Sequence, residues 1–336
     1  MNSKFVSASD VAKRAGVSRS AVSRTFTSGA SVSRETRLKV MAAAEELGYK
    51  VNLLARTLHK TRSDLVGVVG SNLSSPYISA QIDALSAALS KHDLQCILVN
   101  LAQVDGDLTK SVERLLEYRV RTVVLLSGAA PDEVVRICSA NGTRLVLINR
   151  TMPDTVVHAD LIEADSAAGG RLAADRLIKA GCRHVAVLIS ASRTHAKLAR
   201  ADAFIERMRE SNVAVTEWRE GRHCYETGVE AARVLLTRPD IDGLFAVSDE
   251  LALGALNTAR HELGLSVPED LSVIGFDDAP ISAWASHDLT TVRQSLSALT
   301  EATLEAVMGP ANGPVSHRRI KVTLVERGSV RRTGKD

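Results

Sequence analysis

From residue 64 onward, short apolar runs alternate with segments of helical pattern, and this alternation restricts the possible folds more than any other feature of the chain. The runs have the length of parallel strands that are buried on both faces between crossover helices. They predict a doubly wound α/β domain. Strands are expected at 65–69, 95–99, 122–126 and 145–148, with helices at 79–91, 108–118 and 132–140.

The same alternation recurs further along the chain and predicts a second doubly wound domain. Strands are expected at 185–189, 243–247 and 271–276, and helices near 166–180, 196–210, 225–237 and 249–264. A helix near 295–308 and a strand-like run at 320–325 are too little for a third domain, so we expect them to cross back between the first two. The expected subdomains of the region 63–336 are about 63–159 with 293–319, and about 160–292 with 320–330.

The first residues have the pattern of a helix-turn-helix, in which Gly16 marks a tight turn between two short helices. The apolar positions are Val11, Ala12 and Ala15 on the first helix and Ala21 and Val22 on the second. Ser18 can cap the second helix, whose exposed early positions can then meet base edges in the major groove of DNA. The candidate DNA-contacting residues here are Ser18, Arg19, Ser20, Ser23 and Arg24.

A third helix begins at the N-cap Ser33 and stops at Gly48, which closes an all-α headpiece over residues 1–50. Its apolar residues at helical spacing are Leu38, Met41, Ala44 and Leu47. Residues 51–62 follow as a hinge helix and linker. The hinge helix at 52–58 spans only about two turns, which is too short to be stable alone in water, so we expect it to order on binding.

The charge of the chain is concentrated in its first segment. Residues 1–62 contain twelve Lys or Arg and four Asp or Glu, a net charge of +8, whereas the whole chain carries +3. A solvated charged helix face is the usual explanation for such a run. Here the charge coincides with helix-turn-helix spacing, so we interpret it as a surface for the DNA phosphate backbone.

The rest of the composition predicts a globular protein of two or three domains. With 336 residues and 45% hydrophobic residues, the chain can bury a large core. The sequence has no apolar stretch of membrane-spanning length and no signal peptide, which predicts a cytoplasmic protein without a membrane partner. The cysteines at 96, 138, 182 and 224 are scattered singly, so we expect neither a metal site nor a cofactor bound through them.

Several motifs in a fixed order resemble the LacI family of bacterial transcription regulators, over nearly the whole chain. The headpiece motifs are 10–24, 32–37 and 46–49, and the later motifs are 165–169, 247–255, 267–278, 289–294 and 327–329. The resemblance implies an α/β effector domain like the periplasmic binding proteins, composed of two doubly wound parallel-sheet subdomains. Any one motif is weak evidence, but their common order is highly specific.

The resemblance also implies a homodimer whose headpieces bind a pseudo-palindromic double-stranded operator, with the hinge helix in the minor groove. Asn52, Ala55 and Leu58 lie at the family's spacing, and Leu58 matches the leucine that wedges open the central base step. Ordinary helix packing is the alternative, but an apolar residue on an isolated short helix has no other burial site. Val51 replaces the family's usual proline, so we expect a looser entry into the hinge. Thr27 replaces a common asparagine after the recognition helix, so we expect one contact to the DNA backbone to be lost.

Doubly wound architecture places a ligand in the cleft between the two α/β domains, at the carboxyl ends of the strands. Polar groups there suit a ligand rich in hydroxyls, because a ligand that lacks a hydroxyl leaves its buried partner unpaired. The resemblance thus implies an effector that is a sugar or sugar derivative. The candidate residues that contact this effector each match a family position and are Tyr77, Asn149, Arg150, Arg200, Ser248, Asp249 and Asp277.

Two points about this cleft stay open. Asp249 could instead cap the helix that follows it, and His223 is expected in the wall of the cleft rather than in contact with the ligand. The charge of the effector is also undecided, because basic residues favour an anion such as a sugar acid and acidic residues oppose it. The basic residues are Arg150, Arg200 and His223, and the acidic residues are Asp277 and Glu250.

Two other classes of protein compete with a regulator. A sugar-binding transport protein shares the cleft architecture but requires export, and this sequence carries a helix-turn-helix where a signal peptide would be. A sugar-modifying enzyme requires chemistry, and the sequence has no glycine-rich phosphate loop, nucleophile elbow or HExxH motif. We therefore predict a transcriptional regulator, and a repressor in particular, that is not an enzyme. Without a C-terminal leucine heptad, a dimer is expected rather than a tetramer.

Overall fold

The computed structural model describes residues 6–27, 29–50, 63–101, 107–126, 130–150, 158–192 and 194–332. The chain divides into two compact units, Met1–Ser63 and Asp64–Asp336. The predicted hinge at 51–62, with Val51, Asn52, Ala55 and Leu58, lies outside the described residues.

The first unit contains the predicted headpiece helices α1 (Ala8–Ala15), α2 (Arg19–Thr25) and α3 (Arg34–Glu46). Each begins at a serine whose hydroxyl accepts a backbone N–H of the first turn, which satisfies one of the donors left free at a helix start. These N-caps are Ser7, Ser18 and Ser33. Gly16 ends α1 at a φ of +65°, a left-handed conformation that turns the chain sharply towards α2.

The core of the headpiece uses a different face of α3 from the one expected. Val11, Val22 and Val40, one from each helix, are fully buried. Ala44 and Leu47 contact this core as predicted, but Leu38 and Met41 are 64% and 50% exposed. Apolar residues occur on more than one face of α3, and packing selects the face whose small side chains let α1 and α2 approach closely.

The second unit begins with an N-terminal subdomain built on a parallel sheet. Its strands are β1 (Leu65–Gly70), β2 (Gln95–Asn100), β3 (Thr122–Leu125), β4 (Arg144–Ile148), β5 (Asp160–Ala164) and β11 (His317–Ile320), in the order β11-β5-β4-β3-β1-β2. Its helices are α4 (Pro76–Ser90), α5 (Leu108–Glu117), α6 (Asp132–Ala140) and α11 (Leu296–Met308). Val66 and Val68 pack with α4 and α11, whereas Val123 and Leu125 pack with α5 and α6. The sheet is therefore covered on both faces.

The C-terminal subdomain repeats this architecture. Its strands are β6 (His184–Leu188), β7 (Ala214–Trp218), β8 (Gly243–Ala246), β9 (Ser272–Asp277), β10 (Thr290–Gln294) and β12 (Val322–Val325), in the order β12-β10-β9-β8-β6-β7. β12 is antiparallel to β10, and the other pairs are parallel. Its helices are α7 (Ser166–Lys179), α8 (His195–Glu210), α9 (Tyr225–Leu235) and α10 (Asp249–His261).

The chain crosses between the subdomains at slightly different places from those expected. β5 pairs with β4, so the first crossing follows Ala164 rather than residue 159. β10 pairs with β9 from Thr290 to Arg293 and with β12 at Gln294, which moves the second crossing from 292 to beyond Gln294. The run 320–325, expected as one strand, ends β11 at Ile320 and forms β12 in the other sheet. These boundaries depend on which sheet each strand is hydrogen-bonded to, and the pattern of apolar residues does not predict that pairing.

Helices α7 and α8 of the C-terminal subdomain pack closely against each other at Gly170 and Arg200. A Cβ atom on Gly170 of α7 would lie 2.2 Å from the backbone oxygen of Arg200 on α8. Gly170→Ala is expected to destabilise the domain by about 1–3 kcal/mol, because two backbones must separate. Glycine to alanine in a helix without such a contact stabilises by about 1 kcal/mol, so the sign of the change in urea unfolding separates the two cases. A gain in stability would contradict the close approach.

Candidate DNA-binding and effector-binding sites

The helix α2, which carries the candidate DNA-contacting residues, exposes one polar face. Arg19, Ser20, Ser23 and Arg24 are all exposed, whereas Ala21 and Val22 between them are buried. Ser18 has a structural role as well, because its Oγ accepts the backbone N–H of Ala21 at 3.2 Å. The cap fixes the start of the helix and leaves one polar face free for base edges.

The end of α2 is held by two contacts. Thr27 donates its hydroxyl to the carbonyl oxygen of Ser23 at 2.9 Å, and Arg37 of α3 donates to the carbonyl oxygen of Thr25 at 3.2 Å. The threonine that replaces the expected asparagine thus folds back on its own helix. Arg14 pairs with Glu46 at 2.7 Å and links α1 to the end of α3.

In the second unit, Arg200 is the centre of a buried polar cluster at the carboxyl ends of β8 and β9. Its guanidinium donates to the carbonyl oxygen of Val247 at 2.8 Å and to Asp277 Oδ1 at 3.2 Å. It also lies over the ring of Phe276, 3.7 Å from the centroid, which adds a cation–π contact. These contacts orient the side chain towards the strand ends.

Asp277 is the partner of Arg200 and the last residue of β9. Its φ of +121° is unusual for a residue other than glycine, and such strained positions cluster at functional sites. Oδ1 also accepts from Gln294 Nε2 at 2.6 Å, so two donors converge on one oxygen. Burial raises the pKa of the Asp277 carboxyl, and the charge of Arg200 opposes this effect.

The N-terminal subdomain contributes Tyr77, in the first turn of α4, to the same region. Tyr77 is 6% exposed, and its hydroxyl has no hydrogen-bond partner among the described residues. Burial raises the pKa of Tyr77, the charge of Asp277 raises it further, and the charge of Arg200 lowers it. A buried hydroxyl without a partner costs free energy, so Tyr77 presents an unsatisfied polar group beside the Arg200–Asp277 pair.

Asn149 and Arg150 follow β4. Asn149 has a φ of +51°, and its amide bridges the subdomains: Oδ1 accepts from Ala164 N–H at 2.8 Å and Nδ2 donates to Gln294 Oε1 at 3.0 Å. Arg150 is 4% exposed, and burial lowers its pKa to about 10. Asn149 therefore acts as a hinge contact in this conformation, because both ends of its amide are already paired.

The side chains of Ser248 and Asp249 both accept hydrogen bonds from groups of the C-terminal subdomain. Ser248, rather than Asp249, is the N-cap of α10. Asp249 is fully enclosed and accepts from Ala279 N–H, Ser282 Oγ and Thr291 Oγ1 at 2.7, 2.7 and 2.5 Å. Burial raises its pKa. Three donors hold this carboxyl between α10, β10 and the turn after β9, so we assign it a structural role in place of the expected ligand contact.

Sequence reasoning missed three polar groups in this region. Gln294 ends β10, Ser190 follows β6 with a φ of +67°, and Lys197 lies in the first turn of α8. A polar residue directly after an apolar strand could have flagged Ser190, but nothing in the pattern of a helix distinguishes Lys197. His223 lies in the wall as expected, with Nδ1 3.3 Å from Ser190 Oγ.

Comparisons with known proteins agree with this architecture. The family model described as bacterial regulatory proteins, lacI family, matches residues 8–52, and a periplasmic binding protein-like domain matches 174–330. The regulator GalS of Salmonella typhimurium is 31% identical, covering 96% of this chain and 95% of GalS. The regulator CelR of Thermobifida fusca is 33% identical, covering 84% of this chain and 85% of CelR. The chain belongs to the LacI family of bacterial regulatory proteins.

Solved structures extend the likeness to the fold. The lac repressor dimer bound to operator and the anti-inducer ONPF superimposes with a TM-score of 0.84 at 25% identity, covering 97% of this chain and 99% of that chain. A CelR–cellobiose complex has a TM-score of 0.66 at 29% identity, covering 96% and 99%. The predicted fold and the predicted DNA-binding transcriptional regulator are therefore confirmed. In the part of the chain that the structure describes, no helix is long and apolar enough to cross a membrane.

Proposed function

We propose that this protein is a repressor that binds a pseudo-palindromic operator as a homodimer, and that a small sugar-like effector in the cleft controls its operator affinity. The observation that carries the proposal is the buried Arg200–Asp277 pair, which Tyr77 of the other subdomain approaches with an unsatisfied hydroxyl. The solved complex of the regulator CelR with cellobiose supports a sugar ligand.

The chemistry of the cleft favours a ligand with several hydroxyl groups. Arg200 supplies fixed donors and Asp277 fixed acceptors, so a pair of neighbouring hydroxyls can be bound with a defined orientation. Tyr77 can add a third hydrogen bond and an apolar ring face. A ligand without the matching hydroxyl would leave a buried group unpaired, which is the physical basis for selectivity.

The contacts that join the subdomains suggest how ligand binding could reach the DNA. Asn149 bonds to Gln294 at 3.0 Å, and Asn72 lies 3.4 Å from Glu250 across the cleft. Gln294 is bonded to Asp277 as well, so a ligand that engages Asp277 competes with the hinge contact. The ligand then favours one relative angle of the subdomains over another, and differential binding to two states changes operator affinity.

For DNA recognition we propose that Ser18, Arg19, Ser20, Ser23 and Arg24 meet the major groove. Asn52, Ala55 and Leu58 remain proposed minor-groove contacts, with Leu58 as the wedge at the central base step. A protein that acts on chromosomal operators works in the cytoplasm, which is the location we propose.

The test of the whole proposal is protection mapping on DNA that flanks the protein's own gene. We expect a protected pseudo-palindrome whose half-sites are one or more helical turns apart. Titration of sugars, sugar phosphates and sugar acids should then weaken or strengthen the protection. The absence of any protected site would contradict the repressor, and a site that no ligand alters would contradict the effector.

Arg19→Ala is expected to weaken binding to the cognate operator by about 1–3 kcal/mol, roughly 5- to 150-fold, and to relax base preference at one position of each half-site. The reason is that Arg19 lies at the exposed start of α2, where side chains reach base edges. Binding constants are compared on operator and random DNA. Arg171→Ala, which removes an exposed charge from the effector domain, is the control. Equal losses on both DNAs would assign Arg19 to the phosphate backbone.

We further propose that the protein binds its effector without transforming it. All the relatives named above are described as transcriptional regulators or repressors, which supports a binding function. Incubation of the protein with the panel of sugars and sugar phosphates should leave every compound unchanged. Turnover of any of them would support the competing assignment as a sugar-modifying protein.

A further inference from the structure

Lys197 occupies an unfavourable place for a cation. It is the third residue of α8, whose N-terminal end carries the positive pole of the helix dipole. The side chain is partly buried, and its Nζ donates to Ser192 Oγ at 3.2 Å. Among the described residues, no carboxylate lies within ion-pair distance of this ammonium group. The local preference of a helix start is for an acidic residue, so the lysine here conflicts with its surroundings.

The nearest acidic groups already have partners. Asp277 accepts from Arg200 at 3.2 Å and from Gln294 at 2.6 Å. Glu250 accepts from Asn72 at 3.4 Å and also from Ser75. Both carboxylates are close enough to attract Lys197, but neither is paired with it. Lys197 is therefore left without a direct ion-pair partner in the described part of the cleft wall.

The pKa values of Lys197 and His223 are both lowered in this wall of the cleft. Burial and the charge of Arg200 lower the pKa of Lys197 to about 8, although Asp277 and Glu250 act in the opposite direction. Burial, Lys197 and Arg200 lower the pKa of His223 to about 3, which keeps its ring neutral. Burial is the largest cause of both shifts, and the neighbouring positive charges add to it.

We propose that the effector carries an anionic group, either a carboxylate or a phosphate, that binds to Lys197 beside Ser192 and His223. This inference rests on the proposed function and specifies the class of effector: an acidic sugar or a sugar phosphate in place of a neutral sugar. Lys197 and a hydroxyl of Ser192 supply the donors, while Arg200 and Asp277 hold the hydroxyl groups of the same ligand. The sugar-acid alternative raised by the basic residues of the sequence is thereby favoured over a neutral ligand.

The experiment uses the full chain with inorganic phosphate and acetate as probes, each titrated against chloride at constant ionic strength. We expect at least one anion to raise the unfolding temperature and to bind saturably in calorimetry. Lys197→Gln should weaken this binding by about 10- to 100-fold, the loss typical of a hydrogen bond to a charged group. Lys179→Gln, the same change at an exposed residue of α7, should have no effect. Phosphate alone indicates a phosphate ester, acetate alone a sugar acid.

The pH profile with acetate gives an independent readout, since acetate keeps its charge above neutral pH. Affinity should be constant up to about pH 8 and then fall by up to about tenfold per pH unit, as Lys197 loses its proton. The profile of Lys197→Gln should be flat. Equal binding by the parent and Lys197→Gln, or no anion-specific stabilisation of the parent, would overturn the inference.

These outcomes are separate from those of the proposed function. If a neutral sugar releases the operator equally well from the parent and from Lys197→Gln, the effector is neutral and only the anion site is wrong. If an anion binds at Lys197 but no ligand in the panel changes operator affinity, the anion site stands and the regulatory role fails.

Discussion

Asp160→Ala is expected to destabilise the effector domain by about 3–5 kcal/mol, because it leaves the guanidinium of Arg144 buried without its counter-charge. Arg144 and Asp160 are 7% and 0% exposed and form a two-pronged ion pair, with N–O distances of 2.6 and 2.9 Å. The same groups bind the chain that leads into β11. Arg144 donates to the carbonyl oxygens of Pro310 and Pro314, and Asp160 accepts from Ser316. The pair therefore joins β4, β5 and this returning segment.

Urea unfolding of the full chain measures the effect, and Glu262→Ala supplies a matched control. Glu262 pairs with Arg233 at 2.7 Å, but the two side chains are 43% and 56% exposed. An exposed pair of this kind contributes at most about 1 kcal/mol, because water solvates either charge alone. Similar small losses for both variants would show that the interior around Asp160 admits water and that burial does not control the energy of this pair.

Much of the fold could be predicted because its strongest determinants are local. Ser18 and Ser33 cap their helices as the sequence indicated, and Gly16 supplies the left-handed turn. The strands β1 and β3 consist almost wholly of apolar residues and glycine, because both faces of a parallel sheet are covered, and this leaves a clear signal in the sequence. Such elements specify themselves over a few residues.

The strands that were missed lack this signal. β7 is only partly buried and β10 reads Thr-Thr-Val-Arg-Gln, so neither resembles an apolar run. Their positions depend on hydrogen bonds to neighbouring strands that are distant in sequence. The exposed Leu38 and Met41 were misplaced for a related reason: helical spacing identifies apolar positions but not the face that packing selects.

The effector site, like the fold, could be predicted only in part. Arg200 and Asp277 were predicted from motifs, and the structure brings them together at 3.2 Å. The structural role of Asp249 could not be predicted, because its donors come from residues 279, 282 and 291, which only the folded chain places around it. Lys197 escaped notice because a lysine in a helix is ordinary until its neighbours and its burial are known.

Asp277→Ala is expected to abolish the response of operator binding to the effector. The change removes the acceptor for the ligand's hydroxyl groups and leaves Arg200 buried without its counter-charge. Truncation of one member of a buried, hydrogen-bonded charge pair costs about 2–5 kcal/mol, so effector affinity should fall by more than roughly 30-fold. Tyr77→Phe provides a graded comparison. Its hydroxyl has no partner in the described residues, so its removal should leave the ligand-free domain as stable as before and weaken the effector only modestly.

The measurement that decides this prediction is calorimetric titration of the effector against free protein and against the operator complex. By linkage, an effector that changes operator affinity by some factor must bind the two forms with affinities that differ by the same factor. The parent should show this difference. Asp277→Ala should bind the effector more than roughly 30-fold more weakly, and effector concentrations that saturate the parent should leave its operator protection unchanged. Because Asp277 also accepts from Gln294, which bonds to Asn149 of the other subdomain, the ligand-free operator affinity of the variant is measured alongside. If that basal affinity collapses with the stability of the domain, then Asp277 maintains the fold; if only the ligand response is lost, it transmits the effector signal.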